Sequence, residues 1–389
     1  MLGNDLARDD LTWCEVNVLR LEQNMRALRR HLDAKTLLAP AVKSNAYGHG
    51  IEASAHAFLK GGADWLCVHT ITEAKQLREA GISCPIYCFG PSMVQDLELA
   101  AQLGLHLVLY QDSHLERLRY LATQQVELIQ DLKLHLKIET GNHRQGLNLE
   151  QALDFTRVLK ESGLLCLSGV SSHFANVEDT VNQGYAELQM SRLIEAGQAI
   201  ESLWGQPLLK HIANSAATLL WPNRALDIAR VGISAYGLWP SKLCQTLVAD
   251  QIEPTLKTAL SWRARIAQVK NVPRGEPIGY GCTYITTRPT RLAIIPVGYY
   301  EGYDRSLSNR GQVLIKGQRA QVLGRVCMNI CMVDITDIPM CQAGDIATLL
   351  GEDGSDCISA DELGTWADTI NYEIVARIAG HIPRYPISV

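Results

Sequence analysis

The chain has 389 residues, 47% of them hydrophobic, enough for one large core and a smaller second one. Its net charge of −5 offers no basic face to nucleic acid, and no apolar run approaches the roughly 18 residues that span a bilayer. Met1 to Asp10 carries acidic residues where an export signal has a basic and then an apolar stretch, so the expected location is the cytoplasm. Eleven cysteines are scattered singly. The nearest pairs, Cys84 with Cys88 and Cys327 with Cys331, have no His or Cys cluster beside them, so reduced, buried thiols are expected and no metal.

In chain order the first strong pattern is Leu37-Leu38-Ala39-Pro40 running into Ala41-Val42-Lys43-Ser44-Asn45-Ala46-Tyr47-Gly48-His49-Gly50. A lysine at the end of an apolar strand can form an imine with the aldehyde of pyridoxal phosphate (PLP), and a hydroxyl one turn further on can reach its phosphate. A lysine at a strand end is more often simply solvated. What decides between these readings is what else the chain places beside it.

Short apolar runs recur at 36–43, 64–68, 85–89, 105–109, 132–138, 166–172, 209–213 and 227–233, with helical spacing between them, as from Ile71 to Ala80 and from Leu149 to Glu161. Eight strand-helix units in about 240 residues is the count of a (β/α)8 barrel, expected here over residues 1–250. Pro40 weakens the first strand, because proline removes a ladder donor. In such a barrel the chemistry sits just after the strands, at the C-terminal mouth. Lys43 follows strand 1, Arg144 strand 5, His173 strand 6, Asn214 and Ser215 strand 7, and Gly232 and Ile233 close strand 8. Singly, His173 could be a core histidine, Ser215 a helix cap and Gly232 a turn glycine. Their joint placement at one mouth favours a site.

After residue 250 the texture changes. Thr255 to Val272, Arg291 to Val297, Gly311 to Ile315, Ala320 to Val333 and Asp345 to Leu350 are strand-like, with no long helix until Ser359 to Trp366. A mostly β domain is expected over 251–389. In it, Tyr280 stands between Gly279 and Gly281, either offered to a ligand or simply exposed on a hairpin turn.

With these positions in hand, the chain resembles the alanine racemases, PLP enzymes with an N-terminal (β/α)8 barrel and a C-terminal β domain. The resemblance runs from Val16 to Arg384 and rests on the stretch 41–50 already quoted and on 137–144 (Lys-Ile-Glu-Thr-Gly-Asn-His-Arg). It rests equally on 172–175 (Ser-His-Phe-Ala), 213–216 (Ala-Asn-Ser-Ala), 230–237 (Arg-Val-Gly-Ile-Ser-Ala-Tyr-Gly), 279–284 (Gly-Tyr-Gly-Cys-Thr-Tyr) and 324–328 (Gly-Arg-Val-Cys-Met).

The resemblance implies that Lys43 holds PLP, that Tyr47, Ser215, Gly232 and Ile233 hold its phosphate, and that Arg230 donates to the pyridine nitrogen. An arginine there leaves the ring neutral and a weak electron sink, which discourages side reactions. It also implies a two-base racemisation of L- and D-alanine, with Lys43 serving the D-enantiomer and Tyr280 the L-enantiomer. A phenol, titrating near about 10, needs neighbouring cations to act as a base at neutral pH; His173 and Arg144 are the candidates. In the family this tyrosine enters the other subunit's site, which implies a homodimer. Arg144 would reach the cofactor and the substrate carboxylate, Met328 and Asn329 would contact that carboxylate, and Tyr299 would line the access channel. Lys137 matches a position that many relatives carry carbamylated.

Three positions depart from the pattern. Asn329 replaces a usual Asp, Tyr300-Glu301 replaces a small residue and Asp, and Gly380 replaces a tyrosine that narrows the pocket. The last leads to the expectation that serine is racemised as well. Tyr385 could instead refill that space. Rival readings are a PLP-dependent decarboxylase of the same architecture, which wants an acidic partner on the pyridine nitrogen where this chain has Arg230, and a PLP-binding carrier or regulator without turnover.

Overall fold

The computed structural model describes residues 10–388. By contacts the chain divides into two compact units, one formed by the described residues up to Val18 with Tyr47–Gly50 and Thr258 onwards, the other by Leu19–Ala46 and Ile51–Lys257.

The strand β1 (Thr12–Asn17) opens the chain, and eight strands of the second unit follow: β2 (Leu37–Leu38), β3 (Leu66–Val68), β4 (Ile86–Cys88), β5 (His106–Leu109), β6 (Lys133–Lys137), β7 (Cys166–Ser171), β8 (Leu209–His211) and β9 (Ile228–Ala229). Strands β3 to β8 form one parallel sheet in sequence order, and β2 pairs with β9 in parallel. Backbone bonds complete the ring: Val42 N–H donates to Cys67 O at 2.8 Å on one side, and Asp227 N–H to Lys210 O at 3.0 Å on the other. All eight strands therefore lie near their expected positions in a closed parallel barrel. Strands β3 and β4 are buried on both faces, as helix-covered parallel strands must be. Along β6, apolar Leu134 and Leu136 alternate with Lys133, His135 and Lys137, so the basic residues share one face.

The first barrel strand is shorter than expected, and Pro40 is the reason. Ala39 and Ala41 N–H groups bond to the carbonyls of Ala229 and Val231 at 2.9 and 2.7 Å, while Pro40 offers β3 only its carbonyl, which accepts from Cys67 N–H at 2.8 Å.

The first unit is mostly β. Its strands are β10 (Leu260–Arg265), β11 (Gln268–Val272), β12 (Pro277–Ile278), β13 (Tyr284–Ile285), β14 (Thr290–Ile295), β15 (Gln312–Ile315), β16 (Gln318–Gln321), β17 (Cys331–Asp334), β18 (Ile346–Asp353), β19 (Asp356–Ile358) and β20 (Arg384–Ile387). The larger sheet runs β16-β15-β18-β10-β1-β20, and β11-β14-β17 forms a second. In β10 the alternation is strict, with Leu260, Trp262 and Ala264 inward and Ser261, Arg263 and Arg265 less buried.

Two expectations need correction. The N-terminal strand, assigned to the barrel by a division at 250, is antiparallel to β10 and parallel to β20, so it belongs to the β unit. Backbone pairing across roughly the whole chain length overrides adjacency in sequence. The run from Ala320 to Val333 is also not one strand: β16 and β17 flank a turn-rich segment that carries Met328 and Asn329.

Candidate active site

After the first barrel strand the backbone does something no hydrophobic pattern announces. Ser44, Asn45, Ala46 and Tyr47 all have φ between 51° and 55°, a left-handed helical turn built from non-glycine residues. Each such residue costs about 1–2 kcal/mol, so the turn exists only because its surroundings hold it. Ser44 N–H donates to Glu73 Oε1 at 2.6 Å, and Ile51 N–H to Asn45 Oδ1 at 3.0 Å. The other carboxylate oxygen of Glu73 accepts from His69 and Thr70 N–H at 2.8 and 3.1 Å, within the capping box of helix Ile71–Glu79. One carboxylate thus ties the loop after β3 to the turn that aims Lys43. Thr70-Ile71-Thr72-Glu73 is a legible capping box, but nothing in it announces the Ser44 bond.

Lys43 is half-buried, with its Nζ 5.5 Å from the centre of the Phe89 ring. Burial lowers its pKa, Arg144 lowers it further, and Glu73 opposes both. Lys137, buried on β6, is held well below the usual lysine value by burial and then by Arg230 and Arg144. His173 is likewise driven well below the ordinary imidazole value by burial, then by Lys137, Arg230, Arg144 and Lys43. Crowded beside Arg144 and Arg230, these groups are pushed towards their neutral forms, and a bound anion would relieve that repulsion. Arg144 is reached through a loop that Glu139 shapes by accepting backbone N–H bonds from Gly141, Asn142 and His143.

Ser215 stands at the start of the short helix Ser215–Leu220, capped by Asn214. Its Oγ accepts from the N–H groups of Gly232 at 2.8 Å and Ser234 at 3.3 Å, with Ile233 between them. With both N–H groups donating to its oxygen, the Ser215 hydroxyl keeps its proton to donate, which fits a phosphate acceptor. Arg230 is buried among polar partners, its Nη2 donating to Ser172 O at 2.7 Å and its Nη1 to His211 Nδ1. A ring nitrogen facing it would meet a donor only.

In the β unit, Tyr280, Tyr299, Arg305, Arg325, Met328 and Asn329 line one cavity of about 450 Å³. Tyr280 is 73% exposed, presented by the positive-φ glycines Gly279 and Gly281 at the tip of the hairpin β12–β13. Glu301 is buried; its Oε1 accepts from Asn329 Nδ2 at 2.7 Å and its Oε2 from Gly298 N–H at 2.8 Å. Two of the sequence departures, Glu301 and Asn329, are therefore one hydrogen-bonded pair. A side chain on Gly380 would meet nothing within 4 Å. Tyr385 does not refill that space, since its hydroxyl bonds to Asp10.

Tyr47 heads the segment that groups with the β unit. Its ring lies 6.4 Å from that of Tyr372, and Arg384 Nε donates to Gly48 O at 3.0 Å. Gly48 has φ +82°, and a Cβ there would sit 2.0 Å from Val375 O, so no larger residue fits.

Comparison with known proteins agrees over nearly the whole length. The family profile for the alanine racemase N-terminal domain matches residues 16–240, and that for the C-terminal domain matches 259–386. The alanine racemase of Leptospira interrogans (serovar copenhageni) is 37% identical over 380 residues, covering 96% of this chain and 95% of the relative. The crystal structure of alanine racemase from the D-cycloserine producer Streptomyces lavendulae superposes with a TM-score of 0.90 at 31% identity, covering 98% of each chain. That of Bartonella henselae, with covalently bound pyridoxal phosphate, superposes with a TM-score of 0.81 at 26% identity, covering 97% of this chain and 100% of the other.

Proposed function

The chain belongs to the alanine racemase family, and from that premise we propose that it interconverts L- and D-alanine with Lys43 and Tyr280 as its two bases. The observation that carries the cofactor assignment is the barrel mouth itself, where Lys43, Lys137, Arg144 and Arg230 act on one another and where Gly232 and Ser234 N–H gather on the Ser215 hydroxyl. Among the described residues no helix is long and apolar enough to cross a membrane.

Pyridoxal phosphate, when bound, supplies the electron sink that acidifies the substrate's α C–H. Ser215, Gly232, Ile233 and Tyr47 would hold its phosphate, and Lys43 would be its point of attachment, through an amine whose lowered pKa favours the unprotonated, nucleophilic form. Arg230 would donate to the ring nitrogen. Because a guanidinium does not give up its proton, the sink would be weak, the opposite of what a decarboxylase with an acidic partner requires. Lys43 would move the α-proton on one face and the phenol of Tyr280 on the other, with Arg144 as the cation for the phenol, since His173, expected to share that role, is driven towards its neutral form.

In this reading Tyr280, Tyr299, Met328 and Asn329 act in the barrel site of a second copy, so the active species is a homodimer. Arg144 and the Met328 and Asn329 segment take the substrate carboxylate. Lys137 is carbamylated: the neutral amine, favoured by its lowered pKa, adds CO₂ and releases a proton, and Arg144 and Arg230 stabilise the resulting anion. Protein equilibrated with ¹³C-bicarbonate is expected to give a carbamate signal that Lys137→Ala removes; its absence in the unaltered protein would mean a bare amine.

Chiral chromatography after incubation with PLP and L-alanine tests the main reading. D-alanine is expected, and its absence would turn attention to the decarboxylase and carrier readings. L-serine in a parallel incubation is expected to give D-serine, because the space beside Gly380 is open.

A further inference from the structure

Arg230 is one end of a column of buried imidazoles. Its Nη1 donates to His211 Nδ1, His211 Nε2 lies 2.9 Å from His135 Nδ1, and His135 Nε2 lies 2.9 Å from His106 Nδ1. Four adjacent or near-adjacent barrel strands are thereby joined through their side chains. The packing is built around the rings: Trp65 lies 4.0 Å from His106 between ring centres, and Tyr87 lies 5.0 Å from both His135 and His211. At Gly169 a Cβ would stand 2.5 Å from His135 Nδ1, so the ring occupies the place a side chain would take.

The order of protons along this column is forced from one end. A guanidinium has donors and no acceptor, so His211 must keep Nδ1 bare and carry its proton on Nε2. That proton points at His135 Nδ1, which must then be bare, and the same step repeats to His106. A neutral imidazole has one donor and one acceptor, so the column is satisfied only in this direction. Burial holds His135 and His211 well below the ordinary histidine pKa, and burial with Lys133 takes His106 to about 4, which agrees with three neutral rings.

We propose that His106 is a positioning residue for Arg230, acting through His135 and His211 to lock the guanidinium in place as a donor. The role rests on the reading of Arg230 as the partner of the cofactor ring. Without an acceptor at 106, the Nε2–H of His135 has no partner, and reversing the column, which turns that nitrogen into a bare acceptor, competes with the order that Arg230 favours. A His211 with its proton on Nδ1 meets Arg230 donor to donor and displaces it. His106 touches neither cofactor nor substrate in this reading.

The test is ¹⁵N NMR of the full chain labelled at histidine, without and with PLP, for the unaltered protein, His106→Phe and His106→Gln, signals being assigned from single-histidine replacements. Bare Nδ1 and protonated Nε2 are expected at His135 and His211 in the unaltered protein, and mixed tautomers in His106→Phe. Turnover of the loaded His106→Phe enzyme is expected to fall about tenfold, with KM changed less than about twofold. His106→Gln, whose amide oxygen replaces the acceptor, is expected to restore both readouts. Unchanged tautomers in His106→Phe, or a His211 protonated at Nδ1 in the unaltered protein, would overturn the proposal. The tautomers of the cofactor-free chain do not depend on racemisation, so an inactive protein with the expected tautomers would count against the racemase reading alone.

Discussion

At the scale of single residues, the departures from the family pattern acquire physical meaning only as neighbours. Asn329 alone looks like a lost charge, yet its amide donates to the buried Glu301 carboxylate, which also fastens Gly298 N–H. Asn329→Asp would set two carboxylates at hydrogen-bond distance, a pair that has to share one proton. Its kcat/KM relative to the unaltered enzyme is therefore expected to fall progressively as pH rises, and adding Glu301→Gln should restore it. Gly380 works the other way, by leaving space. Gly380→Tyr is expected to lower serine turnover several-fold while sparing alanine, since excluding one small group is worth about 1–3 kcal/mol; equal serine turnover in both proteins would refute the pocket argument. Lys43, Arg144, Ser215 and Tyr280 stand out in the chain as candidates because each sits in a short motif. Glu73 does not, because its carboxylate bonds to Ser44 across 29 positions.

At the scale of elements, the barrel strands were legible because each is a short apolar run between turn residues, and hydrophobicity with spacing is local information. The left-handed turn at 44–47 was not. Its strain is offset by bonds from elsewhere, above all those to Glu73, whose carboxylate accepts three backbone N–H groups. Glu73→Ala is expected to destabilise the protein by about 1–3 kcal/mol in urea unfolding, the cost of leaving such donors unpartnered. An effect near zero would mean that the turn is held by Asn45 and its own backbone. The histidine column belongs to this scale too, since it links strands through residues that look unremarkable one at a time.

At the scale of the whole molecule, the buried imidazoles set a pH limit. His106 has a folded-state pKa of about 4 against an ordinary 6.5, so the unfolded chain takes up its proton first. The corresponding stability is complete above about pH 6.5 and is lost as pH falls towards 4, at about 1.4 kcal/mol per pH unit for each such group, with His135 and His211 acting in the same direction. Urea unfolding between pH 7.5 and 4.5 measures that slope. The proposed sharing of sites between copies has its own test. Lys43→Ala and Tyr280→Phe proteins, each nearly inactive, are mixed after dissociation and reassembly. About a quarter of full activity is expected, because half of the random dimers carry one intact site of two; no recovery would mean that both bases come from one chain.

The sequence by itself determined the barrel, the following β domain and the residues at the barrel mouth, since hydrophobic period, turn chemistry and short motifs are all read within a few residues of one another. Only the tertiary structure decided that β1 lies between β10 and β20. It alone decided that Glu73 braces the strained turn beside Lys43, that Glu301 and Asn329 form one pair, and that three histidines stand in one hydrogen-bonded column with Arg230. Each of these joins residues distant in the chain, through hydrogen bonds whose direction and worth depend on what burial leaves them to pair with.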